Sequence, residues 1–117
     1  MVNNRKVSDR VAEWLQALDV GDIFSVTGGG SLFLNDAIFR LGYTSINYCH
    51  NEQAVGFAAE GFARSTDGFG VCLVTLGPGS SNLLTSVLSA WMDSVKVLII
   101  SGQSFSTQVS HGSNIRQ

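Results

Sequence analysis

Two parts of this 117-residue chain carry side chains whose types and spacing could do chemistry. The first is Glu52, a carboxylate at the start of a segment that is otherwise apolar and rich in small residues. The second is the stretch from Gly77 to Asn82, where Gly-Pro-Gly makes a rigid turn into a predicted helix. A helix N-terminus offers unpaired N–H donors and a partial positive charge, and a shielded carboxylate can hold or deliver a proton.

Glu52 also has a purely structural interpretation. A carboxylate in the first turn of a helix complements the helix dipole and needs no catalytic role. The segment that follows would let another element approach closely, because its small residues are Ala54, Gly56, Ala58, Ala59, Gly61 and Ala63. That element could belong to the same domain or to a second subunit, and the residues do not decide between the two.

Several other kinds of functional site are disfavoured because their sequence motifs are absent or incomplete. The dinucleotide pattern G-x-G-x-x-G, started at Gly28, needs a third glycine where the chain has Phe33. The sequence contains neither a P-loop G-K-[ST] nor a G-x-S-x-G nucleophile elbow. Cys49 and Cys72 lack metal-ligand spacing, so we expect two buried thiols and no metal site. For His50, at a predicted strand end, a structural hydrogen bond is the simpler role.

The composition predicts one globular domain over residues 1–117, with 44% apolar and 14% charged residues. With a net charge of −2, the chain lacks the excess of positive charge that is typical of proteins that bind nucleic acid or a membrane surface. The polar N-terminus and the lack of an apolar run of about 20 residues predict a cytoplasmic protein. Because about a quarter of residues are usually charged, the low charge suggests that another chain or domain covers part of the surface.

The hydrophobic pattern predicts a first helix with one apolar stripe, formed by Val7, Val11, Trp14, Leu15 and Leu18. Strands at 23–26, 45–49, 70–75 and 95–101 then alternate with helices at 32–41, 51–64 and 80–93. The side chains of the last helix that we expect to face inward are Leu83, Leu84, Val87, Leu88 and Trp91. This alternation predicts an α/β fold: a doubly wound, mainly parallel sheet with helices on both faces.

Ligands of such sheets bind at the carboxyl ends of the strands. Four joints of this chain fall at those ends: Gly28–Gly30, Asn51-Glu52, Gly77–Gly79 and Gly102. We therefore expect the candidate site where these joints meet.

Five motifs in a fixed order resemble a known family. They are NEQA at 51–54, AAEGFAR at 58–64, VTLGPGSSN at 74–82, AWMDS at 90–94 and ISGQ at 100–103. They are similar to the amino-terminal, pyrimidine-binding domain of thiamine-diphosphate-dependent enzymes of the acetolactate synthase type, from about Ser8 onward. The resemblance implies the thiamine-diphosphate-binding fold, thiamine diphosphate as cofactor and a 2-oxo acid as substrate.

The resemblance also implies roles for individual residues. Glu52 would match the family glutamate that hydrogen-bonds N1′ of the cofactor's aminopyrimidine, where its proton promotes removal of the thiazolium C2 proton. The residues that would line the cofactor are Val26, Thr27, Gly28, Gly29, Thr75, Pro78, Gly79 and Asn82. Gln103 would lie on the substrate side.

The chain departs from the family in three respects. Many members have histidine directly before the glutamate, where this chain has Asn51, so His50 does not inherit a proton-relay role. The family domain has six strands in an order resembling 2-1-3-4-6-5, so we expect the last two to be missing and strand four to form an open edge. Mg²⁺ and the diphosphate would be held by a second domain with a Gly-Asp-Gly motif, which this sequence lacks.

Three hypotheses follow. The chain could be the pyrimidine-binding part of a lyase or transferase, inactive alone and dependent on a homo-oligomer or on a diphosphate-binding domain in trans. It could instead be a non-catalytic, truncated domain that acts as an oligomerisation or interaction module. A nucleotide-binding module that uses the glycine loop is the third hypothesis, and the failed fingerprint disfavours it.

Overall fold

A computed structural model describes residues 5–109, apart from the side chains of 107 and 108. Its helices are α1 (Val7–Ala17), α2 (Leu32–Leu41), α3 (Glu52–Ser65), α4 (Pro78–Ser81), α5 (Leu84–Met92) and α6 (Ser106–Val109). Its strands are β1 (Asp22–Ser25), β2 (Ser45–Tyr48), β3 (Gly70–Val74) and β4 (Val97–Ser101), and Gly29–Ser31 forms a 3-10 turn.

The strands form one sheet in the order β2-β1-β3-β4, and every neighbouring pair is parallel. Helices cover both faces: α1 and α2 pack on one face around Leu15 and Ile38, and α3 packs on the other around Val55. Because successive strand residues point to opposite faces, Leu73 joins the first cluster and Val74 the second. The predicted doubly wound, parallel α/β fold is confirmed.

Some elements follow closely from local sequence signals. Helix α2 has the predicted bounds, because Gly42 ends it in the left-handed conformation at φ 69°. All five residues of β3 are buried, as expected of a strand covered on both faces. Helix α6 was not predicted, since its short polar sequence has no clear period.

The predicted inward face of α1 is correct for Leu15, which is buried, and for Val11, which packs against the same cluster, but it is wrong for the rest of the stripe. The buried side chains are Ser8, Ala12 and Leu15, whereas Val7 is 81% exposed and Trp14 is also exposed. Ser8 and Ala12 are small, so α1 can lie close to α2, which it contacts extensively. Three larger side chains of the expected stripe are exposed as a result, namely Val7, Trp14 and Leu18.

The segment 80–93 forms two helices, α4 and α5, instead of the one helix that was predicted. In α5 the buried side chains are Ser86 and Ala90, while Leu84, Leu88 and Trp91 are exposed. The expected inward positions of those three residues are therefore wrong. The cause is a close approach between α5 and Gly56 of α3, which requires the small side chains to face inward.

None of the described helices is both long and apolar enough to cross a membrane. The cytoplasmic location stays a prediction, and so does the single domain over 1–117.

Candidate functional site

Glu52 is the first residue of α3, at the carboxyl end of β2. The helix begins there because the side chain of Asn51 caps it, accepting a hydrogen bond from the backbone N–H of Ala54 at 2.8 Å. The carboxylate of Glu52 is half-buried, and its Oε2 accepts a hydrogen bond from Asn82 Nδ2 at 2.8 Å. The structure thus joins two of the predicted site residues directly.

The turn after β3 brings backbone against this carboxylate. Gly77 has φ 60° and ψ −124°, a conformation that favours glycine, and Pro78 follows as the first residue of α4. A Cβ at Gly79 would lie 2.6 Å from Thr75 Cγ2 and 3.3 Å from Glu52 Oε1. The resulting open cleft, of about 470 Å³, is lined by Glu52, Pro78, Gly79, Ser81 and Asn82.

Thr75 connects this cleft to the glycine joint after β1. Its Oγ1 accepts a hydrogen bond from the backbone N–H of Gly30 at 3.1 Å. A Cβ at Gly28 would lie only 2.7 Å from Thr75 Cβ, and Gly79 touches the same side chain from the other side. Thr75 is therefore in contact with both joints, and its role in the site stays a prediction.

A second cavity lies on the other side of Thr75. It has a volume of about 550 Å³ and is lined by Gly29, Gly30, Phe33, Leu76, Gln103, Ser104 and Phe105. The loop after β4 lies directly on the loop after β1, because a Cβ at Gly102 would be 2.2 Å from the carbonyl oxygen of Gly30. Gln103 and Gly29 therefore share this cavity, while Glu52 faces the other one.

Four predicted site residues line neither cavity: Gly28 and Thr75, which contact each other, and Val26 and Thr27. Val26 is half-buried and packs against the apolar cluster beneath α3. Thr27 is exposed and is not among the residues that line either cavity. Ser80 and Ser101 belong to the sequence motifs but were given no role there; both hydroxyls donate hydrogen bonds to the carbonyl oxygen of Thr75, at 2.6 and 3.2 Å.

The cysteines take no part in the described site. Cys72 is fully buried, and burial raises the pKa of its thiol to about 12. Cys49 is half-buried, so the expectation of two buried thiols holds fully only for Cys72. Within residues 5–109, no group of three or more His, Cys, Asp or Glu side chains is placed to hold a metal ion.

The parallel sheet and the clefts at the carboxyl ends of its strands define an α/β protein with the ligand edge typical of doubly wound folds. Residues 5–116 match the family model of the N-terminal TPP-binding domain of thiamine pyrophosphate enzymes. The chain belongs to this family, which confirms the resemblance; thiamine pyrophosphate is another name for thiamine diphosphate.

Acetolactate synthases are among the relatives of the chain. It is 38% identical over 99 residues to the chloroplastic acetolactate synthase 1 of Zea mays, covering 85% of this chain and 16% of that protein. The identity to the acetolactate synthase large subunit of Haemophilus influenzae is 40% over 102 residues, covering 87% and 18%. For the acetolactate synthase of Arthrospira platensis it is 45% over 87 residues, covering 72% and 15%. The chain thus spans about a sixth of the length of these curated relatives.

Proposed function

We propose that this chain binds the aminopyrimidine of thiamine diphosphate in the cleft at the start of α3 and that Glu52 activates it. The arrangement of the Glu52 carboxyl group carries the proposal: Asn82 holds Oε2, and Oε1 faces the turn at Gly79. A flat heterocycle with accepting ring nitrogens suits a carboxyl group that is fixed through one oxygen and presents the other. The residues of the cleft therefore fit the group that the family implies.

Each residue of the cleft has a separate task in this proposal. Glu52 would hold a proton at Oε1 and share it with a ring nitrogen, as a general acid–base group. Asn82 orients the carboxyl group, and Gly79 leaves room for a flat ring because it has no side chain. The bound cofactor supplies a nucleophilic carbon and an electron sink for 2-oxo acid chemistry.

We further propose that the reaction is decarboxylation and carboligation of a 2-oxo acid, as in the acetolactate synthase type. Mg²⁺ and the diphosphate would be held by a diphosphate-binding domain, supplied within a homo-oligomer or in trans. An exposed apolar stripe on α5 supports such a partner, since exposed apolar surface often marks a protein–protein contact. The stripe starts two residues after Asn82 of the cleft and consists of Leu84, Leu88 and Trp91.

Binding of thiamine itself tests the role of the cleft, since thiamine carries the aminopyrimidine but no diphosphate. In ¹H–¹⁵N NMR titrations, thiamine should shift the signals of Gly79 and Asn82. Glu52→Gln should weaken binding at least tenfold. Glu13→Gln is the matched control, because it makes the same change in an exposed ion pair on α1. Equal affinities for Glu52→Gln and the unchanged chain would refute the proposal.

Turnover tests the catalytic part. In an enzyme that combines this chain with a diphosphate-binding domain, Glu52→Gln should lower kcat on pyruvate by a factor of about 10² or more. The isolated chain should show no turnover. The exposed α5 stripe also favours the alternative of a non-catalytic oligomerisation module, which predicts a stable dimer in sedimentation and no thiamine binding.

A further inference from the structure

Helix α3 contacts α5 and the residues just before and after it, Asn82 and Asp93, through a regular row of contacts. The four pairs, from one end to the other, are Glu52–Asn82, Gly56–Ser86, Glu60–Ser89 and Arg64–Asp93. Along each partner, successive members are three or four residues apart, which is about one helical turn. This contact row therefore runs along two helices packed side by side, and its first pair lies in the cleft.

The second pair of the contact row determines how close the helices come. A Cβ at Gly56 would lie 1.8 Å from Ser86 Oγ and 2.5 Å from Ser86 Cβ. Ser86 cannot easily turn away, because it is buried and its hydroxyl donates to the carbonyl oxygen of Leu83 at 2.8 Å. By contrast, a Cβ at Gly61 of the same helix would meet nothing within 4 Å. The close approach is therefore specific to Gly56.

The third and fourth pairs tie the far ends of the helices together. Glu60 is only 5% exposed, and its Oε1 accepts hydrogen bonds from Arg64 Nε and Nη2 at 3.1 and 2.6 Å and from Ser89 Oγ at 3.2 Å. Arg64 also pairs with Asp93, beyond the end of α5. A buried carboxylate is destabilising unless it is well paired, and Glu60 Oε2 has no partner among the described residues. The Glu60–Arg64 ion pair lies within α3, so the axial register of α3 and α5 is defined by the two contacts that cross between them, Ser89 to Glu60 and Arg64 to Asp93.

We propose that the contact row positions the carboxyl group of Glu52. Gly56 and Ser86 set the distance between the helices, and Glu60 sets their register, so that Glu52 and Asn82 meet at the cleft. A change in the middle of the row reaches Glu52 through α3, which is continuous from Glu52 to Ser65, and it reaches Asn82 through the start of α5, two residues beyond Asn82. Gly56, Ser86 and Glu60 are positioning residues, since they do not line the cleft. The catalytic consequence rests on the proposed function, whereas the effect on the Glu52–Asn82 hydrogen bond does not.

The test compares Gly56→Ala with Gly61→Ala, which adds the same methyl group to the same helix. The readout is the ¹H–¹⁵N signal of the Asn82 side-chain amide, which Glu52→Gln should displace by replacing the carboxyl group that accepts its hydrogen bond. Gly56→Ala should move this signal toward its position in Glu52→Gln and weaken thiamine binding at least fivefold. Gly61→Ala should change neither. Adding Ser86→Gly to Gly56→Ala should largely restore both, because it removes the two atoms closest to the new methyl group and leaves Leu83 Cδ2, at 3.1 Å, as the nearest atom.

Glu60→Gln provides a second arm that leaves the helix distance intact. Glu60→Gln should shift the Asn82 signal in the same direction. If Gly56→Ala does not fold, the result for Glu60→Gln alone tests the proposal. A folded Gly56→Ala, or Glu60→Gln, with an unchanged Asn82 signal overturns the proposal. If the Asn82 signal moves but thiamine binds equally to every variant, Glu52→Gln included, the positioning stands and the proposed function fails.

Discussion

Asn82 donates a hydrogen bond to Glu52 Oε2 at 2.8 Å, although the two residues are 30 positions apart. They meet because Glu52 begins α3 after β2, while Asn82 follows the turn after β3, and both strands end at the same edge of the sheet. The contact restrains one carboxyl oxygen and leaves the other facing Gly79.

Removal of this contact should weaken binding without unfolding the chain. Asn82→Ala should lower thiamine affinity by three- to tenfold, about 1 kcal/mol, the usual net contribution of a hydrogen bond. Asn47→Ala is the control, because Asn47 donates to Asp22 at 2.9 Å far from the cleft. Calorimetric titration with thiamine measures both. Equal losses in the two variants would contradict the role of Asn82.

Gly102→Ala should destabilise the fold. The new Cβ would lie 2.2 Å from the backbone oxygen of Gly30, which cannot move aside as a side-chain tip could. We expect a loss of about 1–3 kcal/mol, the usual effect of overpacking. Gly29→Ala in the neighbouring loop has open space at its Cβ and should stay close to the unchanged chain. Urea unfolding followed by circular dichroism compares the stabilities of the two variants. Similar unfolding midpoints would contradict the prediction, because they would show that the loops after β1 and β4 can move apart without loss of stability.

Alkaline unfolding should report on Cys72. Its folded pKa is about 12 against an ordinary 9.0, so below pH 9 the thiol is protonated in both states and contributes no pH dependence. Between pH 9 and about 12 only the unfolded chain loses the proton, and stability should fall by up to about 1.4 kcal/mol per pH unit. Cys72→Ala should show a shallower decline in urea unfolding at pH 9–10.5. Cys49→Ala should follow the unchanged chain; an equal slope for Cys72→Ala would contradict the burial of that thiol.

Asn51→Ala should cost about 1 kcal/mol by removing the cap of α3, whose first residue is Glu52. Asn51→Asp keeps an oxygen that can accept from Ala54 N–H and should retain the stability. Thermal unfolding compares the three proteins. A loss in Asn51→Asp as large as that in Asn51→Ala would indicate that the hydrogen bond contributes nothing.

Local signals in the sequence were enough to predict the four strands and their alternation with helices, but not the division of 80–93 into α4 and α5, nor helix α6. Gly42 ends α2, Pro78 starts α4, and the continuous apolar run of β3 marks a strand that is buried on both faces. The alternation of strands and helices then implied a parallel sheet, because successive parallel strands need a crossover between them. The motifs around Glu52 and Asn82 predicted the family, which the comparisons confirm.

Tertiary packing decided the features that depend on which surfaces meet. A hydrophobic pattern shows that apolar residues recur with the period of a helix, but the neighbouring element decides which side of the helix is buried. For this reason α1 and α5 bury small residues at positions next to the larger ones that were expected to face inward. Ser86 faces inward because Gly56, which has no side chain, leaves room for it. Neither residue is strongly apolar, so the hydrophobic pattern of the sequence does not predict this contact. The division of the site into two cavities on either side of Thr75 likewise depends on contacts among distant loops. The sequence alone therefore determined the fold class and the candidate carboxylate, whereas close packing between helices and loops determined where that carboxylate points.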